Sequence, residues 1–493
     1  MVRLTDLDVG RLSWRKRRLE EWLGALPLAE PARALQQLAH SVRALNKTVT
    51  EPSVRVSLLG CYEESIRNLA ATLRRPGVPA DRIAFLTLVN SEMAHGYEMA
   101  IGLGGRPDVH ARAALGALVH LGEVVRCAYR SYLPVPPGLW RRIHALYGSV
   151  EPETDGAIDA AYKGIILLGL ADPYALAPGA IDLVTALIAQ VGGLAVLPAA
   201  SGFRIEPLND TPARLGGGAL KAYYLDTRPL IAEVGRLRTA LRERGALPPV
   251  WTHGVLPDVA EHLLAALASA WRPEPQVRGA RVRLSGERLL CSGFTALHAV
   301  AGRKDARHYV DLDTAWQDGG RSVPITRWRI RDAGRSGLWL TSGGTSFEGR
   351  APRPGSLVGV CESMGPGIWQ AAVVRWLKRV RPREYAIGVE ILGTAHSGVA
   401  RHGHAFPFAV IFIEPAQGGP VALLAPPGRV AAGRSLRVEM QGREALHLPL
   451  ERIDRVGGLD RFALAGGLSG QLVDGVAHQG VDAWVGRKNT AAF

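Results

Sequence analysis

Cysteine is scarce in this 493-residue sequence, and what there is does not cluster. Cys61, Cys127, Cys291 and Cys361 stand far apart, with no Cys-x-x-Cys or Cys/His group among them. That pattern excludes a disulfide framework and a thiolate zinc site, and it fits a reducing compartment. A long uncharged apolar run is also missing. The most apolar stretch, Gly179 to Ala200, is interrupted by Asp182, Gln190 and Gly192-Gly193, so it reads as a buried helix rather than a membrane span. Asp6 and Asp8 stand near the start, and no apolar core follows the first basic residues, so no secretory signal is read and a cytoplasmic chain is expected.

Catalytic signatures are equally sparse. There is no Gly-x-Ser-x-Gly elbow and no paired-aspartate motif of nucleotide hydrolysis. Gly343-Gly344-Thr345-Ser346 lacks the lysine of a phosphate loop, and Gly102-Leu103-Gly104-Gly105 follows a helix-like segment rather than a strand. Glu92-x-x-His95 is half of a carboxylate-bridged di-iron pattern without its second half, and His402-Gly403-His404 lacks a third ligand. Neither an enzyme nor a metal or cofactor site is expected.

Acidic residues are outnumbered. The chain carries 45 Asp and Glu against 59 Lys and Arg, a net charge of +14, and most of the excess is arginine. Such a surface favours anionic partners such as nucleotides, nucleic acid or a lipid surface. An Ala-, Gly-, Arg- and Leu-rich composition also follows from GC-rich coding, so charge alone does not make DNA a partner. Hydrophobic content of 47% argues for a folded chain, and the length argues for two or three domains.

From residue 1 to about 271 the apolar period is helical. Arg11–Leu23, Pro31–Leu45, Val54–Leu73, Ala111–Arg130, Leu139–Tyr147, Ala160–Pro173, Arg228–Glu243 and Leu256–Ala270 read as helices broken by Pro and Gly. This all-α part is expected to form a solenoid or irregular bundle and to bind a protein partner. Trp140, His144 and Tyr147 are read as aromatic packing of a helix hairpin. Arg272-Pro273-Glu274-Pro275 marks the expected boundary, beyond which the period becomes two. Short alternating runs through residues 276–400 predict an antiparallel barrel, residues 401–463 further β structure, and residues 464–493 a Gly-rich tail. Trp339, Trp369 and Trp376 are expected in the barrel core.

Within the β half, Arg303-Lys304-Asp305-Ala306-Arg307 puts two arginines four apart. Asp332-Ala333-Gly334-Arg335-Ser336-Gly337 follows, with Asp332 25 residues beyond Arg307, and then come Val373–Leu377 and Ile387-Gly388-Val389-Glu390-Ile391-Leu392. In order, spacing and flanking strands this stretch resembles the PilZ domain, a small β-barrel that in many members binds cyclic di-GMP. The resemblance implies that Arg303 and Arg307 match the family's arginine pair, and Asp332 and Gly337 the ends of its second motif. The family's serine falls on Gly334, which removes one hydroxyl, worth about 1 kcal/mol. Ser336 is a candidate replacement, and Arg335 a further phosphate contact. The chemistry suits the residues: a guanidinium pairs with phosphate or guanine O6/N7 and stacks on bases, while a carboxylate accepts from guanine N1–H and N2–H. The expectation is therefore a cyclic di-GMP-responsive effector acting on motility, pili, exopolysaccharide or biofilm formation. A docking scaffold without nucleotide, or a nucleic-acid-binding surface, is the alternative.

Overall fold

The computed structural model describes residues 16–73, 80–150, 156–215, 222–251, 255–274, 280–302, 316–318, 321–342, 352–362, 367–381, 384–401, 406–415, 418–440, 443–465 and 471–472. The chain divides into two compact units, residues 1–278 with 378–380 and residues 279–377 with 381–493. The first is built on helices and the second on antiparallel strands, the order the two periodicities predict.

The helical unit contains α1 (Lys16–Gly24), α2 (Pro31–Asn46), α3 (Pro52–Leu73), α4 (Ala80–Gly102), α5 (Pro107–Arg130), α6 (Leu139–Gly148), α7 (Gly156–Leu170) and α8 (Pro178–Val191). After these come strands β1 (Val196–Ala199), β2 (Phe203–Ile205) and β3 (Tyr223–Asp226), then α9 (Arg228–Arg244) and α10 (Pro257–Ala270). Proline stands in the first turn of α2, α5, α8, α9 and α10, where its missing N–H would have had no intrahelical partner. On α2 the stripe Leu35, Leu38, Val42 and Leu45 is buried. Helix α4 packs on α2, α3 and α5, so its apolar residues are needed on several sides and no single stripe announces it. Arg55 is fully buried and reaches back to the end of α2, donating to Leu45 O (3.3 Å) and Thr48 O (2.6 Å). A cation there meets carbonyls left over by the helix terminus.

The helical unit also carries a small sheet, ordered β1-β3-β2, which helical periodicity did not indicate. Strands of three or four residues are too short to establish a period of two. The stretch read as one buried helix, Gly179–Ala200, is helical only to Val191 and ends as β1.

The second unit begins with β4 (Arg281–Arg283), β5 (Glu287–Ser292) and a helix, α11 (Phe294–Ala301). The next strands are β6 (Trp316–Asp318), β7 (Arg321–Val323), β8 (Ile325–Gly334), β9 (Gly337–Ser342), β10 (Leu357–Glu362), β11 (Gln370–Arg381) and β12 (Glu384–Arg401). Then come β13 (Phe408–Glu414), β14 (Ala422–Ala425), β15 (Leu436–Met440), β16 (Arg443–Val456), β17 (Leu459–Ala465) and β18 (Gln471–Leu472). The tail read from residue 464 thus still contains the end of β17 and β18.

Strand pairings close two circuits. One runs β5–β8–β9–β12–β11–β10 and returns to β5; the other runs β12–β13–β14–β17–β16–β15 and returns to β12. Numbered in chain order within each ring, both follow the path 1-2-3-6-5-4. The second ring therefore repeats the topology of the first, and β12 belongs to both. Residues Ala386–Glu390 of β12 pair with β9, while Thr394–Ala400 pair with β13 and Val399–Arg401 with β15. Gly393 stands at the handover with φ of 150°, and a β-carbon there would fall 2.2 Å from Glu414 O. Only glycine fits so close a crossing.

Strands β13 and β14 bury both faces. Val410, Phe412, Leu423 and Ala425 point into the second ring, while Ile411, Ile413, Ala422 and Leu424 join a separate core with α11 and the first ring. That is why these strands read as continuous apolar runs. Helix α11 contributes Ala296, Leu297 and Val300 to this shared core.

Candidate functional site

Strands β8 and β9 form a hairpin in which Gly334 pairs with Gly337 and Arg335-Ser336 is the connecting pair. This register places Asp332 directly opposite Trp339. Arg283 of β4 pairs with Asp332 on its other side, and Gly388 of β12 pairs with Trp339. Directly opposed residues of antiparallel strands share a face. Arg283, Asp332, Trp339 and Gly388 therefore form one row across four strands, about 15 Å from end to end at the usual strand spacing. The row lies on the outside of the first ring: Trp339 is 39% exposed, whereas Ile330 and Leu340 beside it are buried.

Asp332 has a neighbour. Arg281 Nε lies 2.8 Å from Asp332 Oδ1, but its N–H is not aligned for a hydrogen bond, so charge attraction is satisfied while the oxygen's acceptor capacity is not. Further along the row, the indole of Trp376 from β11 covers Gly388. A β-carbon on Gly388 would fall 2.0 Å from Trp376 Nε1. The Trp339 and Trp376 rings meet edge to face, with centroids 6.1 Å apart. Arg375 Nε donates to Glu390 Oε2 (2.6 Å), and Arg331 Nε to Thr341 Oγ1 (3.2 Å). The outcome is a strip on the outer face with guanidinium groups at one end, a largely buried carboxylate next, and a partly exposed indole beyond it.

Of the residues singled out from sequence, Asp332, Gly334, Arg335, Ser336 and Gly337 fall together on this hairpin. Arg303 and Arg307 lie outside the described residues. Neither Gly334 nor Gly337 adopts positive φ, so neither is required by a left-handed backbone. Gly337 is needed for a different reason: a β-carbon would come within 2.8 Å of Val389 O on β12. At Gly334 the nearest atoms are 3.6 Å away, an ordinary contact. Ser336 accepts from Ile391 N through its backbone carbonyl (2.8 Å). The placing of Trp339 in the core is also corrected; Trp369 is buried, but Trp339 faces solvent. Arg281, Arg283 and Trp339 were not singled out as ligand residues. A two-residue turn at Arg335-Ser336 would have sufficed to set Asp332 against Trp339.

Residues 17–200 match the family model described as the N-terminal domain of the cyclic-di-GMP receptor FimW. That span runs from α1 to the end of β1. The chain is also 24% identical over 475 residues to the cyclic-di-GMP receptor FimW of Pseudomonas aeruginosa, covering 76% of this chain and 77% of that protein. Three-quarters of the chain exceeds the first unit, so the likeness continues into the strands. The family-level match falls on the helical half, whereas the residue pattern had directed attention to the β half alone.

Other groups offer less. Burial pushes the thiols of Cys127 and Cys361 up to about 11 and that of Cys291 to about 12, so they stay protonated and are poor nucleophiles. Glu92 of the Glu-x-x-His pattern is taken by Arg43 (2.7 Å) and Asn46 (3.3 Å). Among the described residues no cluster of His, Cys, Asp and Glu could hold a metal, and no helix is long and apolar enough to cross a membrane.

Proposed function

We propose that this protein is a cyclic di-GMP receptor without catalytic activity of its own, acting in the cytoplasm, with its nucleotide site on the Asp332 face of the first ring and a protein-binding role for its helical unit. The observation that carries this reading is the similarity to a cyclic-di-GMP receptor along most of the chain. The closed six-strand circuit supports a PilZ-like barrel, and the outward carboxylate beside arginines and an indole supports the position of the site. In this reading Arg303 and Arg307 supply the phosphate and base contacts that the resemblance implies, with Arg335 and Ser336 at the rim. Motility, pili, exopolysaccharide or biofilm formation would be the regulated process, and DNA is not a partner.

Isothermal calorimetry with cyclic di-GMP tests the reading. Native protein should give saturable heat. Asp332→Ala should weaken binding about ten- to hundredfold, the worth of a hydrogen bond to a charged group, and Arg307→Ala should remove most of it. One observation favours a docking scaffold instead: Asp332 already has Arg281 against it. Folded protein that gives no heat at millimolar nucleotide would decide for the scaffold. A nucleic-acid role would show itself as affinity that collapses with added salt.

A further inference from the structure

We infer that Trp339 is a base-stacking platform that holds one guanine of the ligand against Asp332, a role nothing in the arginine and Asp-to-Gly motifs assigns. The inference rests on the receptor reading and deepens it. This indole is 39% exposed on the outer face of the ring. It is also held in place. Trp376 meets it edge to face at 6.1 Å, and Trp376 is itself seated on Gly388, where no other residue leaves room for the ring. The platform is therefore preorganised rather than a loose surface residue.

Its neighbour gives the platform a ligand class. Asp332 is its direct cross-strand partner, and opposed side chains of antiparallel strands stand about 5 Å apart. A planar base stacked on the indole places its edge within reach of that carboxylate. Guanine offers N1–H and N2–H donors on that edge, which a carboxylate accepts in pairs, whereas adenine offers a single amino group there. Arg281 and the exposed Arg283 bring positive charge to the same strip, as an anionic nucleotide requires. Stacking, edge recognition and charge thus converge on a guanine nucleotide.

The experiment is a titration of full-length native, Trp339→Ala and Trp339→Phe proteins with cyclic di-GMP, read by calorimetry and by intrinsic fluorescence, with a thermal melt of each. Native protein should bind with quenching. Trp339→Ala should bind about tenfold more weakly or worse, the loss expected for one stacked base. Trp339→Phe should keep most of the affinity while losing most of the quench. Trp339→Ala that melts like the native chain and binds as tightly would overturn the inference and leave the receptor reading intact. Should the alanine variant not fold, Trp339→Phe decides: an undiminished quench overturns the inference. Absence of any binding by native protein removes the receptor reading, and this inference with it.

Discussion

Gly388 shows how a single residue decides the outer face of the first ring. Because Trp376 occupies the space a side chain would need, Gly388→Ala forces the indole off its seat. Overpacking of this kind costs about 1–3 kcal/mol, so a denaturant midpoint below the native value is expected. A variant as stable as the native chain would show that the indole does not sit there. At Asp332 the same scale separates function from stability. The pair with Arg281 is 43% exposed on the arginine side, and exposed pairs contribute about 0–1 kcal/mol, so Asp332→Ala should alter ligand affinity far more than melting. Sequence made Asp332 legible through a motif, but not Arg281, whose relevance depends on β4 lying alongside β8.

At the scale of elements, α6 depends on a residue far from it in the chain. Its N-cap position is Gly138, with φ of 82° and no capping side chain of its own. Asp210 takes that role, accepting from Gly138 N (2.5 Å) and Trp140 N (3.0 Å), and its charge complements the helix dipole. Asp210→Ala should therefore destabilise the helical unit by about 1–2 kcal/mol, with loss of ellipticity at a lower temperature. An unchanged melt would mean that α6 is held by packing alone. The helices found by periodicity include α2 and α9, each with one apolar stripe. Helix α4 shows no single stripe because it is surrounded, and α11 was missed because eight residues within a strand-rich stretch do not establish a helical period.

For the whole molecule, acid sensitivity is built into both units. His144, His396 and His447 all have pKa values lowered from the usual 6.5, in each case chiefly by burial. His144 is fixed as the neutral ring: Thr211 O accepts its Nε2–H (2.7 Å) and Tyr162 O–H donates to Nδ1 (2.7 Å). His447 lies inside the second ring against Phe412, with neither nitrogen hydrogen-bonded. Unfolding releases these rings to bind protons near pH 6.5, so the unfolded state holds more protons below that value and stability falls as pH drops. Melting temperature should decline from pH 7 to pH 5, and His447→Leu should flatten part of that slope. A slope unchanged by the substitution would place the acid sensitivity elsewhere.

The sequence by itself determined the class of each half, because side-chain period is a local property and reports a helix or a strand wherever one face is buried. It also brought Asp332, Gly334, Arg335, Ser336 and Gly337 together, since they are contiguous. Only the tertiary structure decided that the strands close into two rings of one topology, that β12 serves both, and that Trp339 faces outward beside Asp332 and Arg281. Those facts depend on which strand lies beside which and in what register. Pairing across dozens of residues is set by the summed packing of the ring rather than by any local pattern.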